Sequence, residues 1–182
     1  MRRFRIETRE GETAGIAFGD PVRPVEVLFL HATGFNAITY QSLLEPLGGQ
    51  MHVAAIDLRG HGRTKLPATP RRLKSWNKFR ADVIQVLERL APKGAVLGGH
   101  SMGATVWLLV AAKRPDLVRG LMLADPVLMK KAIYRTYNTP LLNMTIGRNA
   151  LSKSALRRRR EFASASGAAE ALRGRGAFQT WR

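Results

Sequence analysis

The feature that most constrains this chain is Gly99-His100-Ser101-Met102-Gly103. An apolar run, Ala95-Val96-Leu97, leads into it, and a long helix-favouring run, residues 104–112, leads out. Small residues two before and two after a serine, between a strand and a helix, fit a sharp turn that holds the serine in a strained backbone conformation. Strand and helix approach closely there, and only Gly99, Gly103 and Ala104 leave room. Such a turn lifts the Ser101 hydroxyl above the sheet and aims the Met102 N–H at the same point. Ser101 is therefore the candidate nucleophile.

The segments before this turn alternate. Residues 4–8 and 14–18 read as two strands of a hairpin joined through Glu10-Gly11-Glu12. Residues 25–30 (Val-Glu-Val-Leu-Phe-Leu) are nearly all apolar, as in a central parallel strand covered on both faces. The strand ends in a loop of small residues, His31-Ala32-Thr33-Gly34-Phe35-Asn36. Tyr40, Leu43, Leu44 and Leu47 then fall on one face of a helix stopped by Gly48-Gly49. A strand over 51–56 leads to Asp57-Leu58-Arg59-Gly60-His61-Gly62-Arg63-Thr64. Ser75 caps a helix presenting Trp76, Phe79, Val83, Leu87 and Leu90, ended by Pro92 and Gly94. After the serine turn and its helix, Leu121-Met122-Leu123-Ala124 predicts one more buried strand, ending at Asp125-Pro126. The pattern specifies an α/β fold, a mostly parallel doubly wound sheet with ligands at the carboxyl ends of the strands. Thr33, Asp57, Ser101 and Asp125 all lie at that end. Beyond Pro126 the strand-like alternation stops and the chain reads as helical, with basic residues at Lys130, Lys131 and 157–160.

Composition bounds the rest. The 182 residues are 45% hydrophobic and contain no cysteine, which excludes disulfides, thiolate zinc sites and a cysteine nucleophile. The arginine pair at Arg2-Arg3 is followed by no apolar stretch of the secretory kind, and no run is long enough to span a membrane, so a cytoplasmic location is the expectation. The formal charge of +17 invites a nucleic-acid reading. The basic residues are scattered, however, and no aromatic-interleaved strand accompanies them. A diffuse basic surface is expected, with no specific nucleic-acid partner. There is no Gly-x-Gly-x-x-Gly, no Walker motif and no His-Glu-x-x-His, so no cofactor and no metal are implied.

Four landmarks in this order resemble the α/β-hydrolase fold family, in its lid-bearing branch of serine esterases. His31-Ala32-Thr33-Gly34-Phe35 looks like the oxyanion loop, with Ala32 where His-Gly is more usual. Residues 57–64 look like the family's Asp-x-Arg-Gly-x-Gly-x-Ser loop, with threonine last. Gly99-His100-Ser101-Met102-Gly103 is the nucleophile elbow, and Asp125-Pro126 looks like the end of the sixth strand. The resemblance implies Ser101 as nucleophile, the Met102 and Thr33 N–H groups as oxyanion hole, and a small-molecule acyl substrate. Asp125 is a candidate triad acid; the alternative is a structural role for it. Residues 1–127 would form the hydrolase core and 128–182 an incomplete helical lid, with Phe162, Phe178 and Trp181 lining the acyl pocket or packing in a core.

The family's order of nucleophile, acid, histidine is not kept. The four histidines are His31, His52, His61 and His100, and none follows Ser101. The expectation is a fold lacking its last strands and its catalytic histidine, inactive or nearly so by itself. Two further readings stay open: a non-catalytic binding module that keeps the pocket without the base, and, on charge alone, a nucleic-acid or membrane-surface binder. Oligomeric state is not specified.

Overall fold

Six strands, in the order β1-β2-β4-β3-β5-β6, form one sheet. The computed structural model describes residues 1–69, 73, 75–128, 159 and 161–174. The chain divides into two units, Met1–Leu128 and Met129–Arg182. In the first unit, β1 (Arg2–Thr8) and β2 (Gly11–Phe18) pair antiparallel, and β2 pairs antiparallel with β4 (Val53–Ile56). From there β4, β3 (Val27–Leu30), β5 (Ala95–His100) and β6 (Val118–Ala124) run parallel. The hairpin turn is tighter than the sequence suggests. Thr8 pairs with Gly11, so Gly11 and Glu12 belong to β2 and only Arg9 and Glu10 turn the chain.

Strand periodicity sorts β3 into two faces. Leu28 and Leu30 join Ile56, Leu97, Trp107 and residues of α2 (Asn77–Leu90) and α3 (Met102–Lys113) in one core. Val27 and Phe29 join Phe18, Val53, Ala55 and Leu44 in the other. On α2 the predicted stripe of Phe79, Val83 and Leu87 is buried, with Trp76 and Leu90 partly so. The Ser75 hydroxyl accepts the Asn77 N–H (3.2 Å) at its start.

Two expectations are corrected. Residues 37–49 form no single amphipathic helix. They make a 3-10 turn, the one-turn helix α1 (Gln41–Leu44), and a second 3-10 turn with Pro46 in its first turn. Proline has no N–H to continue an α-helix, and the tighter 3-10 winding breaks the i, i+3, i+4 stripe. Of the four expected stripe residues Leu44 alone is buried, while Leu43 is 60% exposed. The second correction concerns β6, whose apolar sequence reads as a buried strand, though a fold lacking its last strands is expected to leave it an exposed edge. Among the described residues it is the sheet's edge, with β5 alone beside it, and Leu121 and Met122 are 40% and 50% exposed.

Among the described residues of 129–182 there is one helix, α4 (Ala165–Leu172), whose N-terminus is capped by Ser164 Oγ accepting the Gly167 N–H (3.0 Å). Phe178, Trp181, Lys130, Lys131 and most of the arginine run lie outside the described residues, and so does most of the segment expected to be a lid. Among the described residues no helix is long and apolar enough to cross a membrane.

Candidate active site

Ser101 sits between β5 and α3 with φ 52° and ψ −114°. A non-glycine residue tolerates this region only when its surroundings over-determine it. Here they do. The Ser101 N–H donates to the Ala124 carbonyl at the end of β6 (2.9 Å), and its carbonyl accepts the Thr105 N–H one turn into α3 (3.1 Å). The Thr105 hydroxyl lies 3.2 Å from the same carbonyl and accepts the Val127 N–H (2.9 Å), tying the chain after β6 to α3. The flanking glycines are steric requirements. A Cβ on Gly99 would lie 2.7 Å from the Ala104 nitrogen, and one on Gly103 would lie 2.7 Å from the Leu30 carbonyl carbon.

The loop after β3 meets the start of α3. The Thr33 hydroxyl contacts Met102 Sδ at 3.3 Å. Met102 is the first residue of α3, so its N–H has no intrahelical acceptor. Among the described residues neither this N–H nor that of Thr33 meets an acceptor. Ser101, Thr33 and Met102 are thus brought to one end of the sheet. Asp125 follows β6 with φ 47°; its carboxylate is exposed and has no hydrogen-bond partner among the described residues.

The histidines are engaged elsewhere. The Leu58 N–H donates to His31 Nε2 (2.9 Å), so the proton of this buried ring is on Nδ1, which faces the Ala32 carbonyl (2.8 Å). Burial pushes its pKa down to about 4, against the Ala32 hydrogen bond, which raises it. His61 Nε2 accepts the Gly34 N–H (3.1 Å), and its Nδ1 faces the Arg59 carbonyl (3.0 Å). His52 lies between the Arg23 carbonyl and Arg2. His100 Nδ1 pairs with the Tyr40 hydroxyl (2.8 Å). Asp57 and Arg59 hold loops together. Asp57 accepts the Ala37 and Arg63 N–H groups, both at 2.8 Å, and Arg59 makes a two-pronged pair with Asp82 at 2.7 and 2.6 Å.

Sequence reasoning missed Tyr40, read there as one apolar position of a helix. Its hydroxyl accepts the Ala32 N–H (3.1 Å) while meeting His100, so it joins the Thr33 loop to the residue before Ser101. Burial raises the Tyr40 pKa, although the Ala32 hydrogen bond opposes this. The hydroxyl therefore stays protonated at neutral pH. Nothing local in the sequence marks this role, because its partners lie 8 and 60 residues away.

Residues 27–182 match the alpha/beta hydrolase family. The chain belongs to the alpha/beta hydrolase family. It is 34% identical over 99 residues to 2-(acetamidomethylene)succinate hydrolase of Mesorhizobium japonicum, a match covering 54% of this chain and 34% of that protein. It is 31% identical over 140 residues to monoglyceride lipase of Mus musculus, covering 69% of this chain and 46% of the lipase. The solved thioesterase domain from the curacin biosynthetic pathway superposes with a TM-score of 0.72 at 25% identity, over 94% of this chain and 60% of that domain. The matched stretches thus span less than half of each of these two curated relatives. The candidate site within this hydrolase fold is a strained serine at a strand–helix junction, followed by Met102, whose sulfur meets the Thr33 hydroxyl.

Proposed function

We propose that this chain carries the nucleophile and oxyanion-binding half of a serine hydrolase for a small ester, thioester, lactone or related acyl compound. The observation that carries the reading is Ser101 at φ 52° between β5 and α3, followed by Met102, against whose side chain the Thr33 hydroxyl lies, the Met102 and Thr33 N–H groups having no acceptor among the described residues. The relatives, a succinate-derivative hydrolase, a monoglyceride lipase and a thioesterase domain, agree with it in general chemistry.

In this reading Ser101 Oγ attacks the substrate carbonyl carbon, and the C=O π pair moves onto oxygen. The Thr33 and Met102 N–H groups stabilise that charge, each by about 3 kcal/mol. Collapse expels the alcohol or thiol and leaves an acyl group on Ser101. Water then attacks the acyl carbon, releases the acid and restores the hydroxyl.

Both steps need a base to take the attacking proton. No histidine follows Ser101, and the four present are bonded elsewhere. We place the base outside residues 1–182, with Asp125 available to orient it. The open β6 edge, with Leu121 and Met122 exposed, supports a further strand there. In this assignment residues 1–127 are hydrolase core and 128–182 begin the lid segment. The 182 residues alone would keep only the residual ~10³–10⁴-fold rate advantage over water of an oxyanion hole without its triad.

The test compares p-nitrophenyl acetate hydrolysis by this chain, by a longer version that supplies a histidine on strands added beside β6, and by Ser101→Ala in that version. Hydrolysis barely above background, then roughly 10 s⁻¹, then loss again is the expected series. Equal rates with and without Ser101 would refute the assignment. A longer version that binds acyl compounds but is never acylated would favour the binding-module reading, which the engaged histidines also suit.

A further inference from the structure

One concavity has no part in this chemistry. A cavity of about 350 Å³ lies against the β1–β2 hairpin, and Ser101, Thr33 and Met102 are not among its lining residues. Arg3 pairs with Ile16 and Arg5 with Ala14 across the hairpin, so these four side chains share one sheet face. Ile38, from the 3-10 turn before α1, and Arg63, from the loop after β4, close the cavity. Its lining is thus mainly apolar, with Asn36, Asp57 and three arginines among the lining residues.

The charges are unevenly spent. Arg5 is paired with Glu12 at 2.5 Å. Arg3 and Arg63 are exposed, and their side chains have no ion pair or hydrogen bond among the described residues. Asp57 is the one carboxylate in the lining, and its two oxygens are occupied by the Ala37 and Arg63 backbone N–H groups. Arginine is the side chain best matched to a planar, two-oxygen anion. The volume falls at the low end of the roughly 300–1,000 Å³ typical of small-molecule sites.

We propose that this cavity binds a small organic anion, its charged end held by Arg3 and Arg63 and its apolar body resting on Ile16 and Ile38. The assignment is independent of the role of Ser101. A simple edge-strand function for the arginines would demand positive charge but no ligand.

The test is an NMR titration of the full chain, following the Ile16 and Ile38 methyl groups, with hexanoate, hexyl phosphate, inorganic phosphate and hexanol as probes. Hexanoate or hexyl phosphate should shift both methyls saturably, and whichever binds more tightly identifies the head group. Inorganic phosphate and hexanol should each bind at least about tenfold more weakly, because each offers half of the recognition. Arg3→Gln with Arg63→Gln should weaken the binding by about tenfold or more at an unchanged melting temperature, since both residues are exposed. Ser101→Ala should leave it intact. The proposal is overturned if the two methyls do not respond, if hexanol binds as well as the anions, or if the double variant binds like the parent.

Discussion

At the scale of single residues, the site is fixed by groups that take no part in bond making. Gly103 presses on the Leu30 carbonyl, so Gly103→Val forces β3 and α3 apart. It should cost about 3 kcal/mol, read as a lowered urea midpoint; an unchanged midpoint would contradict the close approach. Tyr40→Phe removes the acceptor of the Ala32 N–H and the partner of His100, and should cost about 1–2 kcal/mol. A fully stable Tyr40→Phe protein would show that water replaces the hydroxyl. His31 makes stability depend on pH. Its pKa is depressed in the fold to about 4 from 6.5, so both states are neutral at high pH and stability is full there. As pH falls through 6.5 the unfolded chain takes up a proton that the fold refuses, and stability drops until the folded ring titrates near 4. From about pH 7 to pH 5 the loss should be about 2 kcal/mol. Urea unfolding of the parent and of His31→Gln over that range checks it; equal slopes would remove His31 as the cause.

At the scale of elements, strand and helix order was legible because burial on both faces leaves near-continuous apolar runs, as in β3 and β4, and one-sided burial leaves a stripe, as in α2. The elbow was legible because its glycines answer a local steric need. The segment over residues 37–49 was not, since four apolar residues at helical spacing outweighed Pro46, which sets the actual winding. The Tyr40–His100 bridge and the grouping of arginines at the hairpin cavity were not either, because both are products of tertiary placement. β6 shows both sides. Its apolar sequence reads as buried, yet it stands at the sheet's edge. An exposed apolar edge invites pairing with another chain. The 182-residue chain should therefore self-associate with rising concentration, and Met122→Lys should shift it towards monomer in light scattering. A parent that stays monomeric at high concentration would show that β6 is already covered.

At the scale of the whole molecule, a charge of +17 sits on a chain whose basic residues are spread along the sequence. Binding to mixed-sequence DNA should be weak and should vanish near physiological salt; tight binding that survives there would point to a second activity. The hydrolase fold itself follows from residues 27–182 matching the alpha/beta hydrolase family and from the six-stranded sheet. The central claim is that this fold singles out one serine. The most direct measurement is peptide mapping of the full chain after treatment with a fluorophosphonate at alkaline pH, where lack of a base matters least. In the proposed mechanism the phosphonate oxygen would enter the Thr33–Met102 donors as the oxyanion of a tetrahedral intermediate would. The account predicts that the label maps to Ser101, slowly, in preference to exposed serines such as Ser75 and Ser164, and that it disappears in Ser101→Ala. Label spread without preference among the serines, or undiminished in Ser101→Ala, would contradict it.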